Sequence, residues 1–192
     1  MVGAAVLTSA APAFADSAKP GQSMTHIKTV QGIAPLLESA GVVLYTKGGA
    51  TSAVIGDSIA APAGQVVFHG PITSAKGTVK HAGSNLVLFN TTSDQQVELR
   101  NPVIDLKAGV VRAAVGAGPV ATVFTITNAK ALKPKVTKDP ATGLQTTAYT
   151  GARLALAPGI AGVIVGALGL PAGSLAEGAQ FATADVTLQS AL

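Results

Sequence analysis

Short segments that alternate apolar and polar residues fill the middle of this chain, and they constrain its fold more than any other feature. In QQVELRN, at 95–101, Val97 and Leu99 alternate with polar residues, which is the pattern of a strand with one buried face. Similar segments lie around it: GTVKH, NLVLFN, PVIDL, VVRAAV, VATVFTIT and LQTTAYTGARLAL. Gly, Asn, Asp and Pro stand at nearly every junction. We therefore predict a mainly β fold, an antiparallel β-sandwich or an open barrel.

Two short helices are predicted in addition. One begins at Pro35, because proline suits the first helical position, and ends at Gly41, which readily takes a left-handed conformation. The other has an apolar face made of Ile160, Val163, Ile164, Ala167 and Leu168. We expect the two helices to lie as lids over the ends of the β-domain.

The segments around the two helices are similar to each other. Leu156-Ala157-Pro158 echoes Ile33-Ala34-Pro35, and in both places an apolar helix is followed by a strand. We interpret residues 27–60 and 153–188 as a degenerate internal repeat within a single β-domain at 25–192.

The N-terminal segment predicts export. Residues 1–15 are uncharged, small and apolar, and they end in Ala13-Phe14-Ala15, an A-x-A cleavage site before Asp16. No positively charged n-region precedes them, so we interpret residues 1–15 as a signal peptide truncated at its N-terminus. Residues 16–24 are then a flexible leader, and the protein is expected to be secreted or held at the cell surface.

Several classes of site are disfavoured by composition. The chain has no cysteine, which excludes disulfides, thiol catalysis and thiolate metal ligands. Its net charge is +4, and four lysines cluster at Lys130, Lys133, Lys135 and Lys138 without an interleaved aromatic residue. A solvated hairpin beside the turn DPATG explains this cluster better than a nucleic-acid surface.

A membrane span is the main alternative for the second helix. Residues 154–176 carry no charge and are long enough to cross a bilayer. Pro158, Pro171 and five glycines interrupt them, however, and favour a buried helix of a β-domain. We expect no stable membrane span in the mature chain.

No catalytic motif is complete. GDSIA at 56–60 comes nearest to a serine-hydrolase elbow but lacks its closing glycine. Asp94, Glu98 and Asp105 are glycosidase candidates by number alone. Zinc-protease, EF-hand, P-loop and dinucleotide signatures are missing from the sequence. We predict a non-enzymatic protein without catalytic residues or a metal site.

Three side chains are candidate ligand-binding residues: Tyr45, His69 and His81. His81 shares a strand face with Val79, and His69 shares one with Val67, so the two histidines could meet across neighbouring strands and bind a metal or haem. Tyr45 could supply an axial phenolate to haem iron. The alternative is that the histidines are hydrogen-bonded rim residues and that the Tyr45 ring is buried with its hydroxyl at the surface.

A resemblance to known domains rests on the motif G-x-V-x-H-x-G-x-x-L-x-L, which this chain matches at Gly77, Val79, His81, Gly83, Leu86 and Leu88. The motif and its flanking helix-plus-strand units resemble a family of exported bacterial β-domains. The order of elements is also distantly similar to the HtaA-type haem-uptake domain of Gram-positive surface proteins. That resemblance implies haem held by a tyrosine with a neighbouring histidine. In this chain Ser84 stands where that histidine is expected, and no tyrosine precedes Tyr45.

The sequence thus predicts a non-enzymatic exported β-domain with a structural or binding role in the bacterial envelope or the extracellular space. Its partner there is unknown. The alternative is a carrier of haem or of a small hydrophobic ligand, with a cleft near the helices and the three candidate residues at its rim.

Overall fold

A computed structural model describes residues 23–56 and 63–192 of the chain. Two helices lie in these ranges, α1 (Ile33–Ser39) and α2 (Ile160–Ala167), together with a 3-10 turn at Ala129–Ala131. The strands are β1 (Met24–Thr29), β2 (Val42–Gly48), β3 (Thr51–Ile55), β4 (Gln65–Pro71), β5 (Val79–Lys80), β6 (Ser84–Asn90), β7 (Gln95–Asp105), β8 (Val110–Val115), β9 (Val120–Ile126), β10 (Lys135–Asp139), β11 (Leu144–Leu156) and β12 (Gln180–Ala191). The predicted signal peptide and most of the predicted leader, as well as most of GDSIA, lie outside the described residues.

The strands form one antiparallel sheet that curls into a nearly closed barrel. Its order is β2-β6-β7-β8-β9-β11-β12-β1-β4-β3, while β5 pairs with β7 and β10 pairs with β11. The two end strands, β2 and β3, are consecutive in the chain. The prediction of a mainly β fold is confirmed, and of the two predicted architectures the open barrel is the one that forms.

Aliphatic side chains fill the barrel. On β7, Val97 and Leu99 are 2% and 3% exposed, as their alternation predicts. Leu88, Leu154 and Ile164 are each 1% exposed, and they belong to one continuous apolar cluster with the other buried residues. With so few aromatic residues, this core is built mainly from branched aliphatic side chains.

Both helices cover the same end of the barrel, so the expectation that they lie over the two ends is wrong. β1 and β11 flank β12 and run antiparallel to it, so both strands run towards the same end, where α1 and α2 follow them. The turn after β6 joins the two helical segments there. Asn90 Nδ2 donates to the Leu168 carbonyl at 2.8 Å, and Thr91 N donates to the Gly41 carbonyl at 2.8 Å. The opposite end carries no helical lid among the described residues.

The two helices begin in the same way. Gly32 and Gly159 precede them in the left-handed conformation, with φ of 89° and 80°. Gly32-Ile33-Ala34 therefore corresponds to Gly159-Ile160-Ala161, which differs from the correspondence suggested by the sequence. Pro35 lies within the first turn of α1 rather than at its first position. Gly41 ends that segment with φ of 76°, as predicted.

Strand pairing differs between the two proposed repeats. β11 and β12 are hydrogen-bonded neighbours, whereas β1 and β2 lie far apart in the sheet. The shared element order and helix start fit a duplication, which stays a prediction.

Glu177 holds the start of α2. Its carboxylate accepts hydrogen bonds from Gly159 N at 2.9 Å and from Gly162 N at 3.3 Å. A negative charge at this position satisfies otherwise unpaired amides and complements the helix dipole. The apolar segment 154–176 comprises the end of β11, the eight-residue α2 and turns. Within the described ranges, no helix has the length and hydropathy needed to cross a bilayer.

Candidate functional site

Tyr45 lies on the outer face of β2. Its neighbour Leu44 is buried at 8% exposure, and the Tyr45 side chain points the other way. The hydroxyl donates a hydrogen bond to Gln96 Oε1 at 3.3 Å, and Lys47 Nζ lies 5.9 Å from the ring centroid. Lys47 also approaches Glu98 at 3.9 Å. Tyr45 therefore belongs to a small polar cluster on the barrel wall.

His69 also lies on the outer face, but on a different part of the wall. Its neighbour Phe68 points inward and is 4% exposed. His69 on β4 stands directly opposite His26 on β1, and their rings meet edge to face with centroids 4.6 Å apart. The histidine that pairs with His69 is thus His26 and not His81.

His81 points into the barrel and is 3% exposed. Its Nδ1 lies 3.0 Å from the Pro102 carbonyl oxygen, which can only accept, so Nδ1 carries the proton. Nε2 then accepts a hydrogen bond from the Thr25 hydroxyl at 2.8 Å. Burial lowers the pKa of His81 from its ordinary value of 6.5, and the hydrogen bond to Pro102 opposes this shift only in part. His81 is a neutral histidine that ties together three segments of the barrel.

The Thr25–His81–Pro102 chain has the order of a nucleophile, a base and an orienting group. Thr25 is only 1% exposed, however, so a substrate cannot reach its hydroxyl without opening the barrel. We therefore assign it a structural role. No cluster of three or more histidines or carboxylates suited to a metal ion is found within residues 23–56 and 63–192.

A small cavity lies beside His81. It measures about 50 Å³ and is lined mainly by apolar groups, with Thr25, Thr46, Ser84 and Asn85 as further polar neighbours. The Ser84 hydroxyl is buried and makes no hydrogen bond to the described residues. The cavity is large enough for water but far below the roughly 300–1,000 Å³ of pockets for small organic ligands.

The structure does not bring Tyr45, His69 and His81 together. Tyr45 and His69 face outward at different places, and His81 faces the small interior cavity. Haem needs one pocket that covers its ring and an accessible ligand for its iron. These three residues therefore do not form one haem site, and none of the concave surfaces described for residues 23–56 and 63–192 is lined by all three.

A larger concave surface lies at the end of the barrel opposite α1 and α2. We call it the mouth trough, and it consists of two grooves of about 510 Å³ and about 660 Å³ that share Leu106, Lys107 and Ala129. The lining of the first groove is part polar and part apolar, and we call its apolar side chains the apolar floor. It includes side chains from four strands and from the loop before β10, namely Val79, Ile104, Leu132, Tyr149 and Leu188.

Lysines provide the charge of the mouth trough. Lys107 and Lys133 line the first groove, Lys107 and Lys130 line the second, and all three side chains are exposed. No aspartate or glutamate of the described segments lines either groove. None of these lysines forms an ion pair within the described residues, whereas Lys47 pairs with Glu98 and Arg112 pairs with Asp105. The mouth trough therefore combines an apolar floor with an unneutralised positive rim.

The sequence did not predict this site. It predicted the turn at Asp139–Gly143 correctly, and Lys135 and Lys138 lie on the exposed strand β10 beside it. It assigned Lys130 and Lys133 to the same solvated hairpin, whereas both line the trough. The residues that meet in the trough are distant in sequence, and the lysines before β10 were the one local signal for it.

Comparisons of the chain with protein-family models, with curated proteins and with solved structures give no match.

Proposed function

We propose that this protein is a non-enzymatic binding domain that acts in the cell envelope or outside the cell and takes a small hydrophobic ligand into the mouth trough. The observation that carries the proposal is the trough itself. Its first groove, at about 510 Å³, has the size of a pocket for a small organic ligand, and β-barrel mouths are common places for such pockets. Four strands supply side chains to this groove, and the loops before β5, after β7 and before β10 supply the rest of its lining.

The distribution of reactive groups supports a binding role rather than catalysis. His81 is buried with both ring nitrogens engaged. His26 and His69 lie on the outer wall, away from the trough. An acid, a base and a nucleophile that converge on one accessible point are the usual sign of a hydrolase. The described residues of the trough lining offer lysines, one tyrosine, Thr78, Thr127, Asn128 and apolar groups, with no histidine or carboxylate among them.

Export is supported by sequence alone. The A-x-A site at Ala13–Ala15 and the lack of cysteine suit a domain that folds without disulfides after leaving the cytoplasm. Fractionation of the source cells tests this part. The proposal expects a chain that begins at Asp16 in the envelope or the medium, and an unprocessed chain in the cytoplasm would contradict it.

Binding is tested with a neutral fluorescent probe, N-phenyl-1-naphthylamine, added to the purified chain from Asp16 onward. Leu132→Ser removes part of the apolar floor, whereas Leu36→Ser makes the same change on the exposed side of α1, at the other end of the barrel. We expect saturable fluorescence that Leu132→Ser weakens several-fold and Leu36→Ser leaves unchanged. No saturable signal, or an equal loss in both variants, would overturn the proposal.

A further inference from the structure

We infer that the ligand of the mouth trough is a free single-chain amphiphile with a carboxylate head, such as a long-chain fatty acid, whose tail lies on the apolar floor and whose carboxylate meets Lys107 and Lys133. This inference rests on the proposed function and specifies its ligand class.

The apolar floor of the mouth trough would bind the alkyl tail of the ligand. Leu106, Leu132 and Leu188 are half-buried, so part of each side chain stays in contact with solvent while the rest packs against the core. An alkyl chain laid across them removes apolar surface from water on both sides of the contact. Each methylene buried in this way strengthens binding by about 2- to 4-fold.

The shape of the trough favours an elongated ligand. The two grooves adjoin at Leu106, Lys107 and Ala129, so concave surface lies on both sides of these residues, from β11 and β12 to β9. A flexible chain can follow such a path.

The lysines at the rim of the mouth trough would bind the head group of the ligand. Lys107 and Lys133 reach the first groove, and no carboxylate within the described residues neutralises them. A ligand carboxylate would supply the missing negative charge, and a cationic head would meet repulsion. Because these ammonium groups are exposed, each contributes modestly, by about 2- to 5-fold in affinity. Salt should weaken this contribution.

A free amphiphile fits the trough better than the surface of a bilayer. The apolar side chains line a concave surface and do not project from it, so they can contact one inserted chain but cannot enter a flat membrane together. The exposed apolar residue nearest in sequence to the trough, Val136, is flanked by Lys135 and lies on the exposed strand β10. Anionic vesicles therefore serve as the competing arm of the test.

The test is isothermal titration of the chain from Asp16 onward with dodecanoate, dodecanol and dodecyltrimethylammonium, each below its aggregation limit. We expect dodecanoate to bind most tightly and the cationic analogue most weakly. In K107Q/K133Q the affinity for dodecanoate should fall about tenfold while that for dodecanol stays the same. The charge-matched control K28Q/K47Q, whose sites lie outside the trough, should behave as the parent.

Leu132→Ser separates the tail from the head, since it should weaken dodecanoate and dodecanol equally. Equal affinity of the parent for all three amphiphiles would overturn the carboxylate assignment and leave the proposed function intact. Failure of every amphiphile and of the neutral fluorescent probe would overturn both. Anionic vesicles could also bind more strongly than dodecanoate, and this binding could be lost in K107Q/K133Q. That result would show that the trough binds a membrane surface and not a free amphiphile.

Discussion

The buried His81 should make the stability of this protein fall as the pH decreases below neutrality. Burial lowers the pKa of His81 from 6.5 in the folded chain, whereas the unfolded chain takes up a proton near that value. Below pH 6.5 the unfolded state therefore binds more protons than the folded state, and the free energy of unfolding falls with falling pH until the folded state is protonated too. The loss approaches about 1.4 kcal/mol per pH unit for one such group.

Between pH 7.5 and 5.5 this amounts to at most about 1.4 kcal/mol, because protonation of the unfolded histidine begins near the middle of the interval. For a domain of this size that loss lowers the melting temperature by about 3–6 °C. Urea unfolding at the two pH values measures it directly. The variant His81→Gln should be less stable at both pH values but should lose this part of the pH dependence. The control His69→Gln, on the outer wall, should keep it. An unchanged pH dependence in His81→Gln would refute the reasoning.

Three further predictions concern local contacts. Glu177→Gln weakens the cap on α2 and should lower the free energy of unfolding by about 0.5–2 kcal/mol, as measured by urea unfolding at neutral pH. Gly70→Ala places a Cβ 3.2 Å from His81 Cδ2 and should lower the free energy of unfolding by about 1–3 kcal/mol. Gly162→Ala, on the open side of α2, should raise the free energy of unfolding by up to about 1 kcal/mol. The opposite order of the two melting temperatures would contradict the packing described. Hemin should give no Soret band that depends on Tyr45 or His81, and a band lost in Tyr45→Phe would show that the outer wall binds haem after all.

The strands were predictable because apolar and polar residues alternate locally in the sequence. Val97 and Leu99 face the core as their spacing predicts, and the turn at Asp139–Gly143 forms as its residues indicate. The position of the helices was not predictable in this way. It depends on β1 and β11 both flanking β12, and a single sequence does not show such non-local pairing.

The positions of the candidate ligand-binding residues were likewise only partly predictable from the sequence. The sequence correctly placed His69 on one face with Val67 and His81 on one face with Val79, but it did not show which face is internal. Both faces of β4 carry apolar residues, so alternation alone was ambiguous. The mouth trough gathers residues from five distant segments, and only the folded barrel brings its lysines beside an apolar floor.

Backbone amide NMR during titration with dodecanoate tests most directly whether the end of the barrel opposite α1 and α2 is the binding site. The account predicts the largest shift changes at residues 104–109 and 129–134, in and beside the trough lining, with α1, α2 and the surroundings of His81 unchanged. Largest changes at the helical end or around the cavity at His81 would contradict it.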